Sequence, residues 1–230
     1  MSLGHGASVV TNGLVLHLDA ANVKSYPGSG TAVNDISLSG NNGMLVNGAS
    51  ISNSAFQFDG SNDYIDCGPA SQIGSSLTGL TVSFWVRPTS KATKILVENG
   101  NDYLTNTFYF AQENADYFTF EICGYSGGAR EDLVYANYIY QINTWYYLTG
   151  VWSANNRVEL YSNGVLSSGT RGGVVRDSVI NGNSNLWIGR RPGGTYPFSG
   201  SMGAVKIYNR ALSAAEIKQN FEALRGRYGV

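Results

Sequence analysis

The sequence predicts an all-β domain, on three observations. Gly, Asn and Ser supply 29, 22 and 25 of the 230 residues, about a third of the chain, and these are the residues that turns consume. Apolar and polar residues alternate in one short run after another, the period of a half-buried strand. Only the C-terminal stretch carries helical spacing. A content of 43% hydrophobic and 12% aromatic residues is ample for a core, while 13% charged residues is about half the ~25% usual for soluble domains. The length fits one sandwich, because all-β folds of ~200–250 residues commonly form a single domain. Residues 13–230 are therefore read as one domain and 1–12 as a flexible N-terminus.

Leu14–Asp19 reads as the first strand, and Ala20–Ser39 follows at loop density, with Tyr26-Pro27-Gly28 as a turn. Ala55–Asp59 alternates until Asp59-Gly60 and Asn62-Asp63 interrupt it, and Tyr64–Cys67 resumes. Leu80–Arg87 places Leu, Val, Phe and Val on one face, and Pro88 ends it by removing a ladder donor. Ile95–Glu98, Phe108–Ala111 and Tyr117–Ile122 continue the pattern, the last two spaced as a hairpin across Asn114-Ala115-Asp116. Trp145–Trp152 and Arg157–Tyr161 come next, then Asn163-Gly164, whose residues suit the two positive φ angles of a type I′ turn, and the return strand Val165–Ser167. After the loop 169–185, Leu186–Gly189 and Ser199–Tyr208 are the last strands. Ser213 with Glu216 makes a capping box, and Ile217, Phe221 and Leu224 recur at helical spacing until Gly226.

The charge balance closes several functions. Fifteen basic against sixteen acidic residues leave a formal charge of -1, so no field recruits nucleic acid. No apolar run approaches the ~18 residues of a membrane helix, and Met1–Gly6 has neither a basic nor an apolar leader region, so membrane insertion is not expected. Cys67 and Cys123 are the only cysteines, too few for a disulfide framework or a cysteine-ligated zinc. Two packed thiols are expected, with one bridge as the alternative. The two histidines, His5 and His17, leave little material for imidazole chemistry.

Five segments in order, Phe58–Ile65, Thr81–Val86, Val158–Gly164, Leu186–Gly189 and Ile207–Ser213, resemble the laminin-G-like branch of the concanavalin A-like lectin/glucanase superfamily, from about Gly13 to Leu224. The opening Gly13–Asn22, with Ser25–Gly28 behind it, is similar to modules in structural and tail-associated proteins of marine bacteriophages. The resemblance implies a jelly-roll sandwich of two antiparallel sheets with one short C-terminal helix, and ligands met on a concave face or a rim. It also implies an extracellular or virion-surface setting.

Some members of this superfamily cleave glycans. Retaining hydrolysis needs two carboxyls ~5 Å apart, which one strand supplies at i, i+2 and i+4. No strand here has that triplet: Glu113, Asp116 and Glu121 span a hairpin, and Glu131 and Asp132 point to opposite faces if extended. Alginate-cleaving relatives use Gln-Ile-His, whereas this chain has Gln141-Ile142-Asn143. His17, alone among apolar residues, is expected to be packed or capping. No enzyme is predicted.

Laminin-G modules hold calcium at a rim, and the positions that match best are Asp102 and Asp177; Asp59, Asn62 and Asp63 are a third candidate that ordinary turn chemistry also explains. The pentraxin-like acidic loop is replaced by Arg190-Arg191-Pro192-Gly193-Gly194. Fifteen tyrosines exceed what a core accommodates, since each buried phenol needs a partner. Tyr26, Tyr103, Tyr125 and Tyr196 stand beside turn residues and become rim candidates, with Asn101 and with Arg190 and Arg191 as donors to an acidic glycan. The reading is a noncatalytic carbohydrate-binding module with a glycan or polysaccharide partner and calcium as a candidate cofactor. The alternatives are a structural assembly module that binds other protein subunits, and a polysaccharide lyase or hydrolase.

Overall fold

The computed structural model describes residues 7–74, 77–100, 107–114, 116–123, 132–135, 140–154, 157–168 and 185–230. Among these lie two eight-stranded antiparallel sheets. In the first, β14 (Val165–Ser168), β13 (Arg157–Ser162), β12 (Tyr146–Ser153), β7 (Gly79–Pro88), β16 (Ser199–Tyr208), β5 (Ala55–Asp59) and β4 (Ser50–Ser52) are adjacent in that order, and β1 (Leu14–Leu18) also pairs with β16. The second runs β11 (Asp132–Tyr135), β10 (Phe118–Cys123), β9 (Thr107–Gln112), β8 (Lys94–Glu98), β15 (Asn185–Ile188), β6 (Tyr64–Pro69), β3 (Gly43–Val46) and β2 (Ala32–Val33). Neighbours distant in sequence, such as β7 beside β16 and β8 beside β15, are the crossovers of a jelly roll.

Alternation along each strand sends one set of side chains between the sheets. Val82, Phe84, Leu148, Val205 and Ile207 from the first sheet meet Ile65, Phe108, Phe110, Phe120 and Ile188 from the second in one buried cluster. Phe84 and Phe110 make an edge contact at 4.9 Å, and Phe110 and Phe120 lie 4.9 Å apart. Gly150 lets the sheets approach there, because a Cβ at that position would fall 2.4 Å from Phe120 Cγ. Cys67 is a free, buried thiol in this cluster, and desolvation raises its pKa, so the bridge alternative is not the one formed.

The outer face of the first sheet is covered by helix α1 (Ala214–Tyr228). Ser213 and Glu216 form the predicted capping box. The helix runs past Gly226 to a left-handed cap at Gly229 (φ 70°), whose amide donates to the Arg225 carbonyl. Phe221 and Tyr228 stack on Trp85 at 5.7 and 4.3 Å, which anchors the apolar stripe. Upstream of β1, Val10 is buried, its amide donating to Asn220 Oδ1 at 2.8 Å. The hairpin turn at Asn163-Gly164 has the expected positive φ angles, 51° and 77°. Strands β2, β3 and β4 lie in stretches the sequence pattern leaves as loop or without a strand, and two to four residues are too few to display a period. No described helix is long and apolar enough to cross a membrane.

Candidate functional site

Among the described residues no helix covers the outer face of the second sheet, and its register builds a row of side chains that no single strand could display. Met44 stands opposite Asp66, Asp66 opposite Trp187, Trp187 opposite Glu98, Glu98 opposite Tyr109, and Tyr109 opposite Glu121. Their neighbours Ile65, Ile188, Val97 and Phe110 point into the core, so the row points outward. Acidic residues therefore alternate with aromatic ones across five strands, β6, β15, β8, β9 and β10, at about 4.8 Å per strand.

The row divides into an accessible half and a buried half. Met44 is 52% exposed, and Tyr64, Asp66, Asn185 and Trp187 are half-buried. Tyr64 and Trp187 stack face to face at 3.9 Å and 27°, each covering one ring face of the other and leaving the remaining apolar surface of the pair partly exposed. Beside it Asn185 Nδ2 donates to both Asp66 oxygens at 3.0 and 3.1 Å, and the Gly68 amide donates to Asp66 Oδ1, which fixes the carboxylate. In the other half, Glu98, Tyr109 and Glu121 are 5% exposed or less. The Tyr109 hydroxyl donates to Glu121, and Arg191 Nε donates to Glu98 at 2.9 Å.

Arg191 and its neighbours belong to the loop after β15. Its shape comes from backbone bonds: the Gly194 amide donates to the Arg191 carbonyl, Arg191 to Thr195, and Phe198 to Gly189. This turn carries the Arg191 guanidinium to 5.8 Å from the Tyr109 ring and 5.1 Å from that of Tyr196. Arg190 turns the other way. It donates to the carbonyls of Asn62 and Gly194 and lies 5.9 Å from the Tyr64 ring.

Of the residues selected from sequence, the structure brings Arg190, Arg191 and Tyr196 to this face. Tyr196 is 43% exposed, whereas Arg191 is 7% exposed and paired with Glu98. Tyr26 lies in the loop between β1 and β2, where its hydroxyl donates to Gly30 and its ring packs on the core. Asn101, Asp102, Tyr103, Tyr125 and Asp177 lie outside the described residues. Asp59 and Asp63 act as turn residues, accepting from the amides of Ser61 and Asp59. Among the described residues no three His, Cys, Asp or Glu side chains gather as a metal site. His17 is packed, and burial, with Lys206 next in effect, holds its pKa down at about 3. Sequence reasoning missed Tyr64, Asp66, Trp187, Glu98 and Tyr109. Their shared parity within each strand was the available signal, but the pairing of β15 with both β6 and β8 was not in it.

The model of a laminin-G-like family of the concanavalin A-like lectin/glucanases superfamily matches residues 59–218. The chain belongs to that superfamily. Among solved structures, the chain is similar to a Trypanosoma rangeli sialidase in complex with sialic acid, at a TM-score of 0.71 and 18% identity, covering 99% of this chain and 35% of the sialidase. It is also similar to a botulinum neurotoxin serotype D ligand binding domain in complex with N-acetylneuraminic acid, at a TM-score of 0.69 and 15% identity, covering 93% of this chain and 51% of that one. The chain thus spans about a third and about half of these two proteins, and at such identities the likeness is one of fold. No curated protein has a sequence match to the chain.

Proposed function

We propose that the protein is a noncatalytic carbohydrate-binding module that holds a neutral glycan on the outer face of its second sheet, over Tyr64 and Trp187. The observation that carries this reading is the half-exposed aromatic stack bordered by the fixed Asp66–Asn185 pair. A pyranose presents an apolar C–H face, which suits the ring plane, and equatorial hydroxyls, which suit a carboxylate and an amide at its edge. Because Tyr64 and Trp187 are already stacked and Asp66 is already bonded, little side-chain entropy is lost on binding.

The charge of the face favours a neutral sugar. Among the described residues, Asp66, Glu98 and Glu121 face Arg190 and Arg191, three negative charges against two positive, and Arg191 is paired with Glu98. The two structural neighbours are complexes with acidic sugars, so a preference for neutral glycans separates this site from a sialic acid site. The noncatalytic reading rests on the carboxylates: Asp66 and Glu98 stand two strands apart, as do Glu98 and Glu121, and each is held by a partner in the fold. The segment resembling phage modules would make the ligand a polysaccharide of a host surface.

The test is a panel of neutral, sialylated and sulfated polysaccharides offered to the whole chain in calcium and again in EDTA. Binding of neutral glycans in both buffers is expected. Binding confined to acidic glycans would overturn the charge argument, and loss in EDTA would move the site to an ion at Asp102 or Asp177. Release of reducing ends or unsaturated sugars would revive the lyase or hydrolase reading. A blank panel with a defined oligomer in solution would favour an assembly module.

A further inference from the structure

A second polar row crosses the first sheet, beneath α1. His17, Lys206, Ser83 and Thr149 stand opposite one another on β1, β16, β7 and β12. Their neighbours Leu16, Val205, Phe84 and Leu148 fill the core, so the row points toward the helix. Lys206, Ser83, Thr149 and the adjacent Tyr147 are fully buried. Lys206 Nζ, Ser83 Oγ, Thr149 Oγ1 and Tyr147 OH make no hydrogen bond to any described residue, although buried polar groups are costly when unpaired.

These groups share one small region. Lys206 Nζ lies 5.5 Å from the Tyr147 ring centroid. Ser83 and Thr149, with Asn220 of α1, stand near enough to the phenol to favour its ionised form against the stronger effect of burial, yet outside hydrogen-bond geometry. Four buried polar groups thus lie together beneath α1, and none of them makes a hydrogen bond to a described residue. The ammonium also lacks a carboxylate of its own. Asp19 is near enough to attract the ammonium but is shared with Arg227, from which it accepts two bonds at 2.7 and 2.9 Å and whose charge opposes Lys206, and Asp35 is taken by the amides of His17, Ser37 and Asn41.

We propose that Lys206, Ser83, Thr149 and Tyr147 form an enclosed site for one small monovalent anion of the halide class, held between the first sheet and α1. Water would satisfy the hydroxyls but leave the lysine charge only partly offset, by an Asp19 shared with Arg227, whereas a halide accepts from all four donors and neutralises it. Burial draws the Lys206 pKa down to about 8, which keeps the side chain largely protonated at neutral pH, and a bound anion would raise it again.

The test is thermal unfolding of the whole chain in sodium gluconate, with bromide or chloride replacing gluconate at constant ionic strength. A saturable rise in Tm is expected, as for any ligand that binds only the folded state. It should disappear in Lys206→Met and need about tenfold more halide in Ser83→Ala, the loss of one hydrogen bond at ~1.4 kcal/mol. Crystals grown in bromide should show an anomalous peak within bonding distance of Lys206 Nζ. A Tm indifferent to halide, or density at that point without anomalous signal, would overturn the proposal. Should Lys206→Met fail to fold, Ser83→Ala and the bromide map decide.

Discussion

Replacing Trp187 by Ala should weaken glycan binding far more than it weakens the fold. The indole is half-buried and stacked on Tyr64 at 3.9 Å, so part of it serves the sheet and part faces solvent. If a sugar covers about a quarter of an indole of ~250 Å², roughly 60 Å² of apolar surface leaves water, about 1.5 kcal/mol. The stacking geometry adds ~0.5–1.5 kcal/mol, for a total of ~2–3 kcal/mol. That is about a 30- to 150-fold loss of affinity, measured by isothermal titration with the neutral glycan that the panel identifies. Trp187→Phe should recover part of it, and Tyr26→Phe should bind as the unaltered protein does. An affinity within threefold of the unaltered protein in Trp187→Ala, with the fold intact by circular dichroism, would refute the reasoning.

Gly150→Ala should lower stability by about 1–3 kcal/mol, or ~2–12 °C in Tm for a chain of this size, because its Cβ would meet Phe120 at 2.4 Å; Phe120→Leu in the same chain should restore part of the loss. Glu216 is held down at about 2, chiefly by its bond with Arg210, so its contribution is complete above the ordinary value of 4.5 and is lost as pH falls toward 2. Partial exposure screens that pair, so Glu216→Gln should cost ~1–2 kcal/mol at pH 7 and nearly nothing below pH 2, read from urea unfolding at both pH values. Arg190→Ala should lower glycan affinity by less than tenfold, since Arg190 flanks Tyr64 and already bonds two carbonyls, and a surface plasmon resonance titration checks it.

Much of this architecture is legible in the sequence because alternation is a local signal. Gly79–Pro88 and Ser199–Tyr208 lie where period-two spacing places them, and the Ser213–Glu216 box sits at the helix start. The helix end was misplaced because Gly226 reads as a stop, yet α1 continues until Tyr228 has reached Trp85; tertiary stacking outweighs the local cost of one glycine. The candidate face was legible only in its loop. Arg190, Arg191 and Tyr196 stand beside turn residues that mark a rim, whereas Glu98, Tyr109 and Asp66 look like ordinary strand residues until pairing aligns them. The search for carboxylates along a single strand could not meet a row that runs across five. The pairing of Arg191 was hidden for the same reason, because its partner Glu98 is distant in sequence and adjacent only through the sheet.

The four tryptophans offer the most direct measurement. Trp85 and Trp152 are fully buried, Trp145 packs 4.8 Å from Tyr228 on the α1 side, and Trp187 lies on the proposed face. Indole N–H resonances of nitrogen-15-labelled protein, titrated with the neutral glycan, report these places separately. The account predicts a saturable shift of the Trp187 signal with Trp85 and Trp152 unmoved. A saturable glycan titration that leaves Trp187 still would contradict it.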